Sequence, residues 1–262
     1  MKNNATIFDL SGRCALVTGA GGGMGREISR GFAHHGADLA CLDLTEELAS
    51  PGLEAVRLQG RRALPVGCDV RDPEAIRAAV ERVLQAFQRI DILVNLAGSS
   101  VMRPALEYTL DDWSHMMNTY LRSTFLFCQT VGRHMVERGS GSIINVSSIA
   151  GQVALGRGTA PYGAAKAGVN ALTRELALEW ARKGVRVNAI APCQINTPQL
   201  QQVLNDPQFD RQTLLATWLN AIPMGRLGEP EEVVGPCIFL ASNASSLVTG
   251  HVLLVDGGYT AK

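Results

Sequence analysis

The stretch Cys14-Ala-Leu-Val-Thr18-Gly19-Ala-Gly-Gly-Gly23-Met24-Gly25 decides the fold. Its first five residues form an apolar run of strand length, and a helix is expected from Gly23 to His35. Glycines between the two permit a tight turn and let backbone N–H groups approach a pyrophosphate, where the helix N-terminus favours negative charge. Such a turn alone can be no more than a bend. At the first strand-to-helix junction of an alternating chain it points to a dinucleotide. The lysine of a phosphate-binding NTPase loop is absent, which argues against ATP or GTP.

Outward from this turn the expected elements alternate, the pattern of a parallel sheet flanked by helices. Further strands are expected over Asp38 to Leu42, Arg61 to Gly67, Ile92 to Asn95, Ser142 to Val146, Val185 to Ala191 and His251 to Val255. Asp72-Pro73 opens a helix whose Ile76, Val80, Val83, Leu84 and Phe87 keep the helical period. Thr109-Leu-Asp-Asp112 has the form of a capping box, so a long helix should run from there towards Glu137. Another is expected from Pro161 to Lys183, with Gly184 beyond its end. Glu229-Pro230 starts the last helix. The fold class is therefore α/β, a Rossmann-type doubly wound parallel sheet of about seven strands. Residues 1–262 read as a single domain, with an irregular substrate lid around 192–223.

The composition restricts function. Hydrophobic residues make up 46% of the chain, enough for a sizeable core. Lys plus Arg and Asp plus Glu balance at 24 each, so no net field favours nucleic acid or an anionic membrane. No apolar run reaches the roughly 18–20 residues of a membrane span, and a cytoplasmic location is expected. The six cysteines are scattered and the five histidines show no ligand spacing, so no metal is expected.

Asp43 ends the second strand, where a carboxylate can accept from the adenosine ribose hydroxyls and repel a 2′-phosphate; NAD is therefore preferred over NADP. Tyr162 and Lys166 lie four apart on one helix face, so the ammonium is expected near the phenol. A cation at about 4–6 Å lowers a phenol pKa by roughly 1–3 units, into the range of general acid–base work.

These residues resemble the short-chain dehydrogenase/reductase family along nearly the whole chain, from Gly12 to Tyr259. Gly19, Gly23 and Gly25, with Met24 between them, match its cofactor turn, and Asp69-Val70 its adenine-contacting pair. Asn95, Ala97 and Gly98 match the segment after the fourth strand, with Leu96 replacing a second asparagine. Pro192, Ile195 and Thr197 match residues at the nicotinamide and phosphate, with Cys193 replacing a glycine that often approaches the cofactor. The resemblance implies a catalytic set of Asn118, Ser148, Tyr162 and Lys166. Tyr162 would exchange a proton with the substrate, Ser148 would hold the reacting oxygen, Lys166 would lower the phenol pKa and bind the nicotinamide ribose, and Asn118 would hold a water beside Lys166. Ser147 precedes Ser148, which is chosen because it forms Ser-x-x-Gly with Gly151.

The substrate is expected to be a small polar molecule such as a sugar, polyol or sugar acid. Ser100, Ser148, Gln152, Arg157, Tyr162 and Gln194 are its candidate contacts, since an Arg fork suits a carboxylate. Pro223 to Gly228 and Asp256 to Gly258 look like segments of 3-oxoacyl thioester reductases, the rival reading. A non-catalytic NAD-sensing protein is the remaining alternative. The resemblance also implies a homotetramer built through the long helices and the C-terminal strand.

Overall fold

In the computed structural model, residues 6–99 and 101–262 are described, and Ser100 lies outside them. The elements are β1 (Cys14–Thr18), α1 (Gly23–His34), β2 (Asp38–Asp43), α2 (Glu46–Ala49), α3 (Leu53–Leu58), β3 (Ala63–Gly67), α4 (Pro73–Phe87) and β4 (Ile92–Asn95). After them come α5 (Leu110–Met116), α6 (Ser123–Arg138), β5 (Gly141–Val146), α7 (Ala160–Trp180), β6 (Val185–Pro192), α8 (Pro198–Leu204), α9 (Arg211–Ala221), α10 (Val234–Ala241) and β7 (Val252–Val255). The seven strands form one sheet in the order β3-β2-β1-β4-β5-β6-β7. Every pairing is parallel.

Parallel strands need cover on both faces, and their sequences read as continuous apolar runs for that reason. All of β1 and β4 is buried. One face packs against Ile28 and Phe32 of α1 and Ile238 and Leu240 of α10. The other packs against Ile76, Val80 and Val83 of α4, Phe127 and Val131 of α6, and Trp180 of α7. The chain proceeds outward from β1 to β3 and then returns to β4, so a crevice opens between the C-terminal ends of β1 and β4. Ligands bind in such crevices in open α/β sheets.

The structure departs from the sequence expectations in several places. The strand expected from Arg61 begins at Ala63, and the one expected from His251 begins at Val252. The long helix begins with the anticipated capping box at Thr109 and Asp112, but six residues, Met117–Arg122, wind as a π-helix between α5 and α6. The wider turn shifts the register of every side chain after it. Helices α2 and α3 were not expected; Thr45 accepts from Leu48 N–H and caps the first, while Gly52 enters the second at φ 93°. The irregular 192–223 region holds two well-capped helices, with Thr197 accepting from Leu200 N–H and Asp210 from Thr213 N–H. After Glu229 the chain makes a 3-10 turn, Pro230–Val233, before α10. Among the described residues no helix is long and apolar enough to cross a membrane, and no group of three or more His, Cys, Asp or Glu could hold a metal ion.

Candidate active site

A cleft of about 540 Å³ runs along the crevice, lined by Gly19, Gly23, Met24, Gly25, Asp43, Asp69, Val70, Ala97, Gly98 and Thr197. Backbone sets its shape. Helix α1 starts at Gly22 without a side-chain cap and without an acidic residue in its first turn, so its first N–H groups face the cleft uncompensated. A Cβ on Gly25 would lie 2.1 Å from the Gly19 carbonyl oxygen, and one on Gly21 would lie 2.0 Å from that of Leu48. Gly19 itself has φ +69° and abuts Ala97. Both carboxylate oxygens of Asp43 are held by backbone, Oδ2 by Gly21 N–H at 2.9 Å and Oδ1 by Leu44 N–H at 2.8 Å. The charge is thus fixed at the cleft wall.

Thr18 Oγ1 accepts from the N–H groups of Leu96 and Ala97 at 3.0 and 3.1 Å, tying the end of β4 to β1. Leu96 joins the apolar core beside these bonds. Asp69 pairs with Arg71 at 2.6 Å, and that bond holds its carboxyl below the usual range. Thr119, at the π-helical turn, lines the cleft and has a buried hydroxyl with no partner among the described residues. An uncapped helix start, glycines that exclude any Cβ, a fixed carboxylate and an orphaned hydroxyl fit a dinucleotide.

A second cavity of about 180 Å³ adjoins the cleft and shares Met24, Leu96, Gly98 and Thr197 with it. Ser148, Tyr162, Lys166, Pro192, Gln194 and Ile195 all line it, as does Arg157. Ser148 stands close enough to the Tyr162 phenol to oppose part of the rise that burial imposes on its pKa. Ser147 instead donates to the Lys166 backbone carbonyl at 3.3 Å, so alternation at the strand end sends the two hydroxyls to different tasks. Gly151 is required beyond them, since a Cβ there would lie 2.7 Å from the Lys166 carbonyl group.

Lys166 Nζ is buried, donates to the Val146 carbonyl at 2.6 Å and lies 5.7 Å from the Tyr162 ring centroid. Burial lowers its pKa to about 7. The expected depression of the Tyr162 pKa is not observed. Burial raises it, opposed by the Ser148 hydrogen bond and the Arg157 charge. The reason is local, since desolvation of the phenolate in its fully enclosed site outweighs both of these.

Two predicted residues stand elsewhere. Asn118 lies on the flank of the π-helix, where Oδ1 accepts from Arg122 Nη1 at 3.1 Å. The ring beside Lys166 belongs to Tyr120, with Nζ 4.4 Å from its centroid and the Tyr162 ring edge-on at 5.1 Å. Sequence reasoning missed Tyr120, although it continues the buried face of Met116 one turn earlier. Gly98 makes room for it, because a Cβ there would lie 2.0 Å from Tyr120 Cε1. Asn95 is turned into the sheet rather than the cleft: Nδ2 donates to Asn145 Oδ1 at 2.9 Å, and Asn145 Nδ2 donates to Thr173 Oγ1 at 2.9 Å.

Of the substrate candidates, Ser148, Tyr162, Arg157 and Gln194 converge on the cavity, whereas Gln152 is exposed on a separate groove. Ser100 is outside the described residues. Trp218 of α9, absent from the expectations, forms part of the wall. Cys193 lines it too, but burial pushes its thiol up to about 11, which leaves it inert.

The sheet order, glycine cleft and Ser148-Tyr162-Lys166 cluster define a nucleotide-linked oxidoreductase class. The chain belongs to the short-chain dehydrogenase/reductase family: residues 19–260 match the family model described as enoyl-(acyl carrier protein) reductase. It is 42% identical to D-threitol dehydrogenase of Mycolicibacterium smegmatis, over 97% of this chain and 95% of that protein. It is also 42% identical to galactitol 2-dehydrogenase (L-tagatose-forming) of Cereibacter sphaeroides, over 97% and 98% of the two chains. Among solved structures, gluconate 5-dehydrogenase of Burkholderia cenocepacia in complex with NADP and tartrate superposes with a TM-score of 0.89 at 38% identity, covering 97% of this chain and 98% of that one.

Proposed function

We propose that this protein is an NAD-dependent oxidoreductase that interconverts a secondary alcohol and a ketone on a sugar, polyol or sugar acid. The observation that carries the reading is that Ser148, Tyr162 and Lys166 line one cavity, Tyr162 one helical turn from Lys166, and that this cavity adjoins the glycine cleft. The named relatives support the substrate class through their own activities on threitol and galactitol. The fixed Asp43 carboxylate supports NAD, although the Burkholderia relative was captured with NADP.

When bound, the nicotinamide supplies the hydride acceptor or donor. Gly19, Gly23, Gly25 and the first N–H groups of α1 would hold its pyrophosphate, and Asp43 the adenosine ribose. Ser148 holds the substrate oxygen next to the phenol. During oxidation Tyr162 removes the hydroxyl proton, and during reduction it returns one. Lys166 keeps a positive charge near that oxygen at pH values below about 7, with its Nζ anchored on Val146.

The small size of the cavity gives less support to a 3-oxoacyl thioester reductase, although the family description and the Pro223 to Gly228 segment keep that reading in view. A single domain, with α8 and α9 as its lid, is part of the proposal, as is a homotetramer. Exposed Phe125 on α6, Leu178 on α7 and Leu254 on β7 support the assembly. Six free thiols suit a reducing cytoplasm. The test is a panel of sugars, alditols, aldonates and β-keto thioesters assayed with NAD and with NADP. Turnover of polyhydroxy substrates with NAD is the expected result, and turnover of thioesters alone would overturn it.

A further inference from the structure

Arg157 lines the substrate cavity and is half-buried there, on the loop that precedes α7. Among the described residues it has no ion pair. The nearby Arg103 makes the contrast, because it pairs with Asp112 at 3.2 Å. Gln194 orients the Arg157 fork: in the amide orientation that satisfies both groups, its Oε1 accepts from Nη1 at 2.9 Å and also from Nη2. A neutral amide fixes the direction of a guanidinium without cancelling its charge.

Trp218 supplies an independent observation. It lies 5.5 Å from the Arg157 guanidinium carbon, is 2% exposed and lines the same cavity. Its buried Nε1–H has no acceptor among the described residues. An orphaned buried donor is uncommon and disfavoured, as is a desolvated cation without a counterion. The unpaired guanidinium and Trp218 line one cavity, and an acceptor-rich anion bound there would supply the missing counterion.

We infer that Arg157 and Trp218 receive the carboxylate of a sugar acid, placing its chain across the cavity with one CH–OH at Ser148 and Tyr162. The inference rests on the proposed reaction and narrows its substrate class. Gln194 acts as a positioning residue that keeps the guanidinium facing the cavity. Desolvation also disfavours the charged guanidinium, a penalty that an anion would offset.

The test uses the full chain with NAD and four- to six-carbon aldonates, each paired with the alditol of equal carbon number. In Arg157→Gln the KM for aldonates should rise about 10- to 100-fold, the value of a charge-assisted contact, while that for alditols changes less than about threefold. Arg157→Lys should recover part of the loss for aldonates alone. A second measurement needs no turnover: aldonates added to Tyr162→Phe should change the fluorescence of Trp218, identified by its loss in Trp218→Phe. Arg157→Gln should abolish that change. Equal KM effects on acid and neutral substrates, or aldonate binding that survives Arg157→Gln, would overturn the carboxylate assignment and leave the oxidoreductase reading standing. Failure of every substrate to reduce NAD would count against that reading, while the fluorescence titration would still decide the role of Arg157.

Discussion

Along the cofactor cleft, Gly19 after β1, Gly23 and Gly25 at the start of α1 and Gly98 after β4 put bare backbone into the wall. The substrate cavity is walled by side chains from distant elements, including Arg157 before α7, Gln194 after β6 and Trp218 on α9. A wall of backbone admits few residue types, because a Cβ on Gly25 would collide with the Gly19 carbonyl whatever the ligand. A wall of side chains admits many. The constrained half is therefore suited to holding a cofactor common to many reactions, and the permissive half, which also carries Ser148, Tyr162 and Lys166, to the choice of substrate.

Tyr162 stands where the halves meet, and its loss should have the largest effect. Tyr162→Phe keeps the ring against Tyr120 but removes the hydroxyl proposed to exchange the proton, so turnover should fall about 100- to 10,000-fold. Cofactor affinity should change less than about threefold, since the cleft is built elsewhere. Stopped-flow turnover and equilibrium titration with NADH measure the two. Near-normal turnover would remove Tyr162 from the chemistry, and a matching loss of cofactor affinity would dissolve the division between the halves.

Asp43→Asn separates charge from shape within the cofactor half. The isosteric amide can keep an oxygen towards one of the backbone donors while losing the negative charge. The ratio of kcat/KM for NAD to that for NADP should fall about 10- to 100-fold, as expected for losing a charge-assisted bond and a like-charge repulsion. An unchanged ratio would show that the cleft selects its nucleotide without Asp43.

The two halves were unequally legible. Glycine spacing, the Asp43 strand end and the Tyr162-Lys166 interval could be read because each is local and set by sterics or helical geometry. Asn95 was misread because sequence cannot tell which face of a strand end a side chain takes. It bridges β4 to Asn145 of β5, and through it to Thr173 of α7. Asn118 was assigned from the family resemblance; in the structure it pairs with Arg122 on the flank of the π-helix, and Tyr120 is the ring beside Lys166. Trp218 escaped notice because only tertiary placement of α9 brings it to Arg157.

The correction at Asn95 has its own test. Asn95→Ala leaves Asn145 Oδ1 with only the weak Cys128 Sγ–H donor at 3.7 Å, which should lower the unfolding free energy by about 1–3 kcal/mol. The Kd for NAD should stay within about threefold. Denaturant unfolding and cofactor titration on the same preparation check both. A large loss of NAD affinity with unchanged stability would return Asn95 to the cofactor half.

The smallest expected effect is at Tyr120, the aromatic neighbour of Lys166. The negative face of its ring favours the ammonium over the neutral amine, a preference worth about 0.5–2 kcal/mol. Tyr120→Leu should lower the Lys166 pKa, already brought down by burial to about 7, by a further half to one and a half units or so. Tyr120→Phe keeps the ring and should leave the midpoint in place. Carbon-13 NMR of labelled lysine follows the Cε signal through this titration. The stability effect has a definite sign. From about 7 up to the unfolded value near 10.5, the unfolded chain holds the Lys166 proton that the folded chain has released, so folding gains stability as pH rises across that window. The cation–π contribution is present only below the folded pKa. The stability deficit of Tyr120→Leu relative to Tyr120→Phe should therefore be larger at about pH 6 than at about pH 9. A deficit independent of pH would make Tyr120 a packing residue alone and confine control of the Lys166 charge to burial.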